Sequence, residues 1–495
     1  MEQDRRTFIK DILKDAWKYT PSHLVPGLCG FLSIFVFTRL LSPEEYAKYI
    51  LVLTSVAFAA NIGFGWLNFS ALRFFDESKS ESGPFFSTCA ASFFLSLSLI
   101  SFIGYVLIFV LKRLGISGAY DLPFALGVFL LASKTVFDLF LIILRAERLP
   151  LRFSLLRTAD SIIKLVLGVL FVSIFKWAHE GLLWGMIISF SVLSLYEVLH
   201  SRIYLSIRFR MFSKVIMKSM FRYGFPLMGA AITGTALSLA DRYMLSFFRS
   251  YDEVGIYSAG YRFAEMLIET PGSILLLAYT PLLLQKFNTE PREEFGQVIV
   301  QPLRLVLITI LPLAAASAFL SKDLGRLFLG ARFTGVHEIF PWICSGIFFS
   351  CLNQVFTRVF ELKKATRLVL MISGLAAGTN IVLNLVLIPE FGYMGAAFAT
   401  TAAYLIQLAA SVKMSRVYIP VPLPLSTLFV SIAATSAMCA VIVLLSGYLE
   451  EPAWIALPSK VLAGAFSYAA ILLLLREPTI TAFLHSSRGR LHSDP

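Results

Sequence analysis

Fourteen apolar stretches of membrane-crossing length run through this sequence almost end to end. They lie near 22–40, 46–67, 85–111, 124–144, 156–176, 181–200, 225–247, 255–284, 300–320, 339–358, 367–388, 394–412, 425–446 and 458–475. A hydrocarbon core about 30 Å thick takes roughly 20 apolar residues per helix. The connections are short almost everywhere, and no loop is long enough to hold a soluble domain. Composition agrees: 57% of the 495 residues are hydrophobic and 15% charged, with mean hydropathy +0.76. A soluble domain carries about 25% charged residues. The expected fold class is an all-α multi-pass membrane protein with about fourteen transmembrane helices.

The formal charge of +12 is distributed by side. With Met1 placed inside, 26 Lys and Arg fall on the inner side, about 10 on the outer side and about 7 within spans. The inner set includes five in the N-terminal segment and six between Ser201 and Tyr223. This is the positive-inside pattern, so both termini are expected in the cytoplasm. The cations then orient helices and meet anionic phospholipid headgroups, and nucleic acid is not an expected partner.

The five cysteines, Cys29, Cys89, Cys344, Cys351 and Cys439, all sit in apolar stretches without a C-x-x-C pair, as small packing residues do. The six histidines form no i, i+4 pair, so no zinc site is expected. Asp4-Arg5-Arg6-Thr7-Phe8-Ile9-Lys10 resembles a twin-arginine export signal. The next segment, Asp11 to Lys18, is charged and amphipathic rather than apolar. Residues 1–20 therefore read as a helix lying on the inner membrane surface, with Trp17 and Tyr19 at headgroup level.

An internal repeat organises the rest. The pattern K-x-I-(L/M)-K-x-x-(W/F)-(K/R)-Y occurs at Lys10–Tyr19 and again at Lys214–Tyr223, with Pro21 and Pro226 soon after. Ser42-Pro43-Glu44-Glu45-Tyr46-Ala47-Lys48-Tyr49 matches Ser250-Tyr251-Asp252-Glu253-Val254-Gly255-Ile256-Tyr257. Gly181–Gly185 matches Gly392–Gly395 more weakly. Six spans separate the copies, so both start on the same membrane side and are parallel repeats. The expected domains are an N-lobe (21–200), a basic cytoplasmic linker (201–224), a C-lobe (225–414), and two further helices with a cytoplasmic tail (415–495). Two pseudo-symmetric six-helix lobes describe a transporter that holds its substrate between them.

The repeating segments also carry a family resemblance. Thr38-Arg39-Leu40-Leu41-Ser42-Pro43-Glu44-Glu45-Tyr46 resembles the helix 1–2 signature of bacterial polysaccharide flippases of the O-antigen translocase type. These share a superfamily with the MATE drug exporters and the lipid II flippase. Asp241-Arg242-Tyr243-Met244-Leu245, followed by Val254 to Arg262, resembles the family's helix 7–8 signature. Asn380 to Asn384, then Ile388 to Ala397, is similar to its helix 11–12 turn. One departure is Ala47-Lys48-Tyr49, where the family has G-(I/L)-Y. The resemblance runs from Lys10 to about Leu475. It implies a flippase of the bacterial inner membrane, moving undecaprenyl-pyrophosphate-linked oligosaccharide from the cytoplasmic to the outer leaflet. Polysaccharide assembly proteins are the protein partners it implies.

Such a substrate needs cations for its pyrophosphate, and charges inside spans are costly enough to face a polar cavity. Arg262, Glu265 and Glu269 stand at i, i+3 and i+7, so all three are expected to share one helix face about 10–20 Å deep. They suit a pyrophosphate contact beside carboxylates that could couple to a proton or sodium, or an ion pair that only orders the helix. Arg157, Asp160 and Lys164 repeat the spacing, with cavity lining and snorkelling as the two readings. Lys134 and Asp138 form an i, i+4 pair that either lines the cavity or satisfies itself. Asp241, Arg242 and Arg39 complete the substrate-binding candidates. Asn380 and Asn384 share a face suited to joining helices by hydrogen bonds. Glu44-Glu45 and Asp252-Glu253 resemble glycosyltransferase acids, but their loops are under ten residues and N-capping suits them better. No catalytic residue, metal or cofactor is expected. An ion-coupled MATE-like antiporter of drugs or metabolites is the alternative. A polymerase or glycosyltransferase lacks its long outer loop and nucleophile here, and no P-loop is present.

Overall fold

The computed structural model describes residues 21–75, 82–113, 124–147, 149–201, 207–289, 291–448 and 452–481. The surface helix expected over 1–20 and the tail beyond 481 lie outside these residues. The regular elements among them are helical. They are α1 (Pro21–Leu40), α2 (Pro43–Phe74), α3 (Ser82–Arg113), α4 (Phe124–Ala146), α5 (Pro150–Ser173), α6 (Ala178–Ser201) and α7 (Lys214–Phe248). Next come α8 (Tyr251–Ala264), a π-helical turn (Glu265–Glu269), α9 (Thr270–Thr289), α10 (Arg292–Phe319) and the short α11 (Ser321–Phe328). The last four are α12 (Val336–Leu362), α13 (Thr366–Tyr418), α14 (Leu425–Ser446) and α15 (Ala453–Leu474). Nine helices among the described residues are long and apolar enough to cross a membrane. The helix α5 misses that measure because Arg157, Asp160 and Lys164 interrupt its apolar stretch.

The two segments of the second repeat match open helices in the same way. Ser42 precedes α2, and its side chain accepts from the Glu45 N–H at 3.2 Å, with Pro43 opening the helix. Ser250 precedes α8 and accepts from the Glu253 N–H, also at 3.2 Å. Both are S-x-x-E starts, in which a serine satisfies an orphan donor and acids meet the positive end of the helix. Glu44-Glu45 and Asp252-Glu253 thus occupy first turns. The two turns are neighbours: a Cβ on Gly255 would strike the Pro43 carbonyl.

The 53 residues of α13 hold a reversal rather than one rod. Gly392 sits at φ 56°, ψ −136°, a conformation closed to L side chains, three residues after Pro389. Asn380 Nδ2 donates to Thr400 Oγ1 at 3.2 Å, and Gln407 Nε2 to Ser373 Oγ at 3.4 Å. On a straight helix Asn380 and Thr400 would be about 30 Å apart. The pairs centre near Glu390, so α13 is two antiparallel arms. Gly395 lets the arms touch, since a Cβ there would meet the Leu387 carbonyl.

The chain divides into two compact units, Met1–Gly255 and Ile256–Pro495. In the first, α2 packs along α7 and α4, α6 packs on α4 and α5, and α1 packs on α5. The α2–α7 pair is antiparallel. Ser55 bonds Tyr243 (2.6 Å), Asn61 donates to Thr235 (3.0 Å), and the Ser70 hydroxyl donates to the Met220 carbonyl (2.5 Å). Gly168 and Gly185 bring α5 and α6 into close approach, a Cβ on Gly185 lying 3.2 Å from the Gly168 nitrogen. Leu95, Leu99, Phe102, Ile103 and Leu107 leave α3 an exposed apolar face, the surface a lipid-facing helix requires.

In the second unit α12 packs on α13 and α10, and α14 packs on α10 and α15. The pair α14–α15, outside the repeat, is fastened by polar contacts. Lys460 Nζ on α15 reaches Asp323 Oδ2 on α11 at 2.7 Å, with Lys460 2% exposed. The Tyr468 hydroxyl donates to the Ile308 carbonyl on α10 at 2.7 Å.

Candidate functional site

Five of the expected residues come together on α4 and α5. Asp160 is buried, 4% exposed, and accepts from Lys164 at 2.7 Å and from the Ser189 hydroxyl of α6 at 2.9 Å. The Lys164 ammonium also lies 3.8 Å from the centre of the Phe190 ring. A regular helix sets Asp160 beside Lys164, and α6 supplies the hydroxyl and ring that fix both. Lys134 and Asp138 pair in the same way on α4. The charges of Arg157 and Lys134 both act on Lys164. The cluster holds three cations and two carboxylates, so each acid is matched and one positive charge is left over. Lys134 and Lys164 are each about a quarter exposed, at 27% and 24%. A charge-assisted contact to a phosphate oxygen is the chemistry such a surplus offers.

The second constellation straddles the π-helical turn. Arg262 Nη1 donates to Glu265 Oε2 at 3.0 Å, with side chains 54% and 28% exposed. A π turn rotates the chain less per residue than an α turn, so Glu269 sits off the face that Arg262 and Glu265 share. The one-face spacing expected for the three holds only on a regular helix. Glu269 still feels the charges of both Glu265 and Arg262. Single π turns inside helices recur at functional sites, because the widened turn re-aims side chains. This group holds one guanidinium and two carboxyl groups.

Beside it runs a buried polar chain. The Tyr257 hydroxyl meets Thr400 at 3.1 Å, and Asn380 donates to Thr400 at 3.2 Å. Asn384 donates to Asn380 at 2.9 Å, and the Tyr261 hydroxyl meets that of Tyr404 at 2.8 Å. Asn380 and Asn384 thus bond across and along the α13 hairpin.

The remaining expected residues stand elsewhere. Arg39 ends α1, exposed, donating to the Phe35 carbonyl at 2.8 Å with its guanidinium 3.7 Å above the Phe35 ring. Asp241 and Arg242 are buried on α7, 1% and 7% exposed, next to the Tyr243 that bonds Ser55. Sequence reasoning missed three long-range ties. Glu45 meets His179 at 2.5 Å, joining the first turns of α2 and α6. Arg152 pairs with Glu197 at 2.7 Å between α5 and α6, and Lys460 with Asp323. Among the described residues no group of three or more His, Cys, Asp or Glu is placed to hold a metal ion.

The chain is similar to several known proteins. A family model described as polysaccharide biosynthesis protein matches residues 12–286, and one described as MatE matches 226–386. A probable flippase, AglR, of Haloferax volcanii is 25% identical over 241 residues, 48% of this chain and 50% of that protein. The match therefore spans about half the length of that curated relative. Among solved structures, the lipid II flippase MurJ in an inward closed conformation aligns with TM-score 0.76 at 16% identity, covering 93% of this chain and 99% of that one. An inward-facing multidrug resistance MATE family transporter aligns with TM-score 0.61 at 16% identity, covering 81% and 94%. A MOP superfamily transporter from Pyrococcus furiosus, described by a binding pocket of reverse polarity, aligns with TM-score 0.56 at 17% identity, covering 86% and 96%. At these identities the structures establish a shared multi-pass fold.

Proposed function

From the premise that this chain belongs to the polysaccharide biosynthesis protein family, we propose that it is a flippase for undecaprenyl-pyrophosphate-linked oligosaccharide. It carries the headgroup from the cytoplasmic to the outer leaflet of the bacterial inner membrane by alternating access of lobes 21–200 and 225–414. The observation that carries the reading is the α4–α5 cluster, where charges stand within otherwise apolar helices with a cation to spare. An intramembrane charge is expensive and is kept where a polar substrate passes. In this reading Lys134, Arg157 and Lys164 attract the pyrophosphate. Asp138 and Asp160 hold the lysines in place while the site is empty. Arg262 offers a further phosphate contact, Glu265 and Glu269 bind a coupling proton or sodium ion, and Asp241, Arg242 and Arg39 remain candidates for lining the path.

Replacing Lys134 and Lys164 together by Gln removes two cations while keeping hydrogen-bonding side chains. In a flippase-deleted host, the wild-type chain is expected to restore surface polysaccharide. The double variant is expected to fail at equal protein level, since each lost charged contact costs about 1.5–3 kcal/mol. Full complementation by the double variant removes the cluster from the site.

A second reading, an ion-coupled antiporter of cationic compounds, is favoured by the MatE match over 226–386 and the excess of carboxyl groups over cations at Arg262, Glu265 and Glu269. It predicts drug resistance on expression, abolished by Glu269→Gln, with no effect on polysaccharide.

A further inference from the structure

The start of α7 carries a row of cations that the proposed transport site does not use. Lys214, Lys218 and Arg222 stand at i, i+4 and i+8, so they line one face of the helix about 6 Å apart along its axis. All three are exposed, as are Arg208 and Arg210 just before them. No Asp or Glu occurs between Ile207 and Gly224, so nothing within the segment offsets the five charges. The row is packed against α2. Met220 is fully buried, with its carbonyl accepting from Ser70 at 2.5 Å. Trp66 meets Phe221 edge-on at 5.3 Å, and Phe74 meets Tyr223 at 5.9 Å. The approach to the helix is fixed too: the Arg208 N–H donates to Ser87 at 2.9 Å and the Ser213 N–H to Thr88 at 3.1 Å.

Charge and length together point the row to the bilayer surface. The 35 residues of α7 are about 50 Å long, against a hydrocarbon core of about 30 Å. The charged first third is the part left outside the core. The same spacing opens the other repeat, at Lys10, Lys14 and Lys18. A feature that appears at the start of both copies belongs to the ancestral unit rather than to one loop.

We propose that Lys214, Lys218 and Arg222 form a docking ladder for the phosphates of anionic phospholipids in the leaflet at this end of α7. Three separated point charges, two of them ammonium groups, suit a fluid array of single phosphates better than one ligand needing a planar fork of donors. Bound headgroups then set the depth of α7, and through the Ser70 and Trp66 contacts the depth of α2.

The test uses the full purified chain in mild detergent, with retained lipid measured by native mass spectrometry. The probes are phosphatidylglycerol, phosphatidylcholine and farnesyl diphosphate. Wild type is expected to retain phosphatidylglycerol over phosphatidylcholine, less so at high salt. The variant K214Q/K218Q/R222Q is expected to weaken that retention about a hundredfold, from roughly fivefold per cation. K214R/K218R/R222K keeps the charge and is expected to behave as wild type, which separates loss of charge from loss of fold. K322Q/R326Q/R332Q removes the same charge from exposed residues elsewhere and is expected to change nothing. Unchanged retention in the first variant overturns the ladder, as does an equal loss in the elsewhere variant. Preferential retention of farnesyl diphosphate at the ladder overturns its assignment to phospholipid.

Discussion

Arg262 is the side chain whose replacement separates binding from scaffolding. It is more than half exposed while paired with Glu265, so the pair contributes little to folding. Arg262→Ala is therefore expected to leave protein abundance unchanged and to lower substrate affinity tenfold to a hundredfold, the range of one lost charged contact. Arg262→Lys is expected to recover only part, since an ammonium lacks the planar fork. The measurement is polysaccharide complementation with protein level in parallel. Rescue of a low-abundance Arg262→Ala by adding Glu265→Ala returns the pair to a structural role. At this scale the sequence is legible wherever partners are local. Lys134 with Asp138, Asp160 with Lys164, and Arg262 with Glu265 follow from helical periodicity alone. Ser189 and Phe190, which fix Asp160 and Lys164, do not, because they arrive from another helix. Glu45 with His179 and Arg152 with Glu197 are 134 and 45 residues apart, and no linear pattern announces them.

Helix starts and reversals are where short motifs become structure. The S-x-x-E turns at Ser42 and Ser250 are readable because a capping serine and its acids lie within one turn. The π turn is not: periodicity assumes a constant rotation per residue, and the Glu265–Glu269 turn breaks it. The α13 reversal sits between, since Pro389 and Gly392 mark the place but only Gly392's backbone angles show how the chain turns without a loop. Gly392→Ala puts a Cβ into a region that L residues avoid, at about 1–3 kcal/mol. A lower thermal midpoint in detergent is expected, with loss of the Asn380–Thr400 and Ser373–Gln407 bonds. An unchanged midpoint means the hairpin turns elsewhere. Gly374→Ala, where a Cβ meets open space, is the control.

For the whole chain, charge decides orientation where apolar stretches decide number. The Lys and Arg asymmetry predicts that reporter fusions after Arg210 and at the C-terminus both report from the cytoplasm. An outward signal from either overturns the assignment of leaflets as well as of termini. Three short matches are the sequence's argument for an internal repeat, whereas the packing boundary at Gly255 has no linear signal, because α7's side-chain fit to α2 has no counterpart in linear pattern. The tie between Asp323 and Lys460 bears on how such a chain is made. A ribosome working at about 5–20 residues per second delivers the lysine roughly 7–27 s after its partner, 137 residues later. During that wait the carboxylate stands on α11, eight residues between α10 and α12, without the lysine that later meets it. The lysine comes second, inside an apolar helix, and meets an acid already in place. Synthesis in this order leaves the acid, and never the lysine, to wait for its partner.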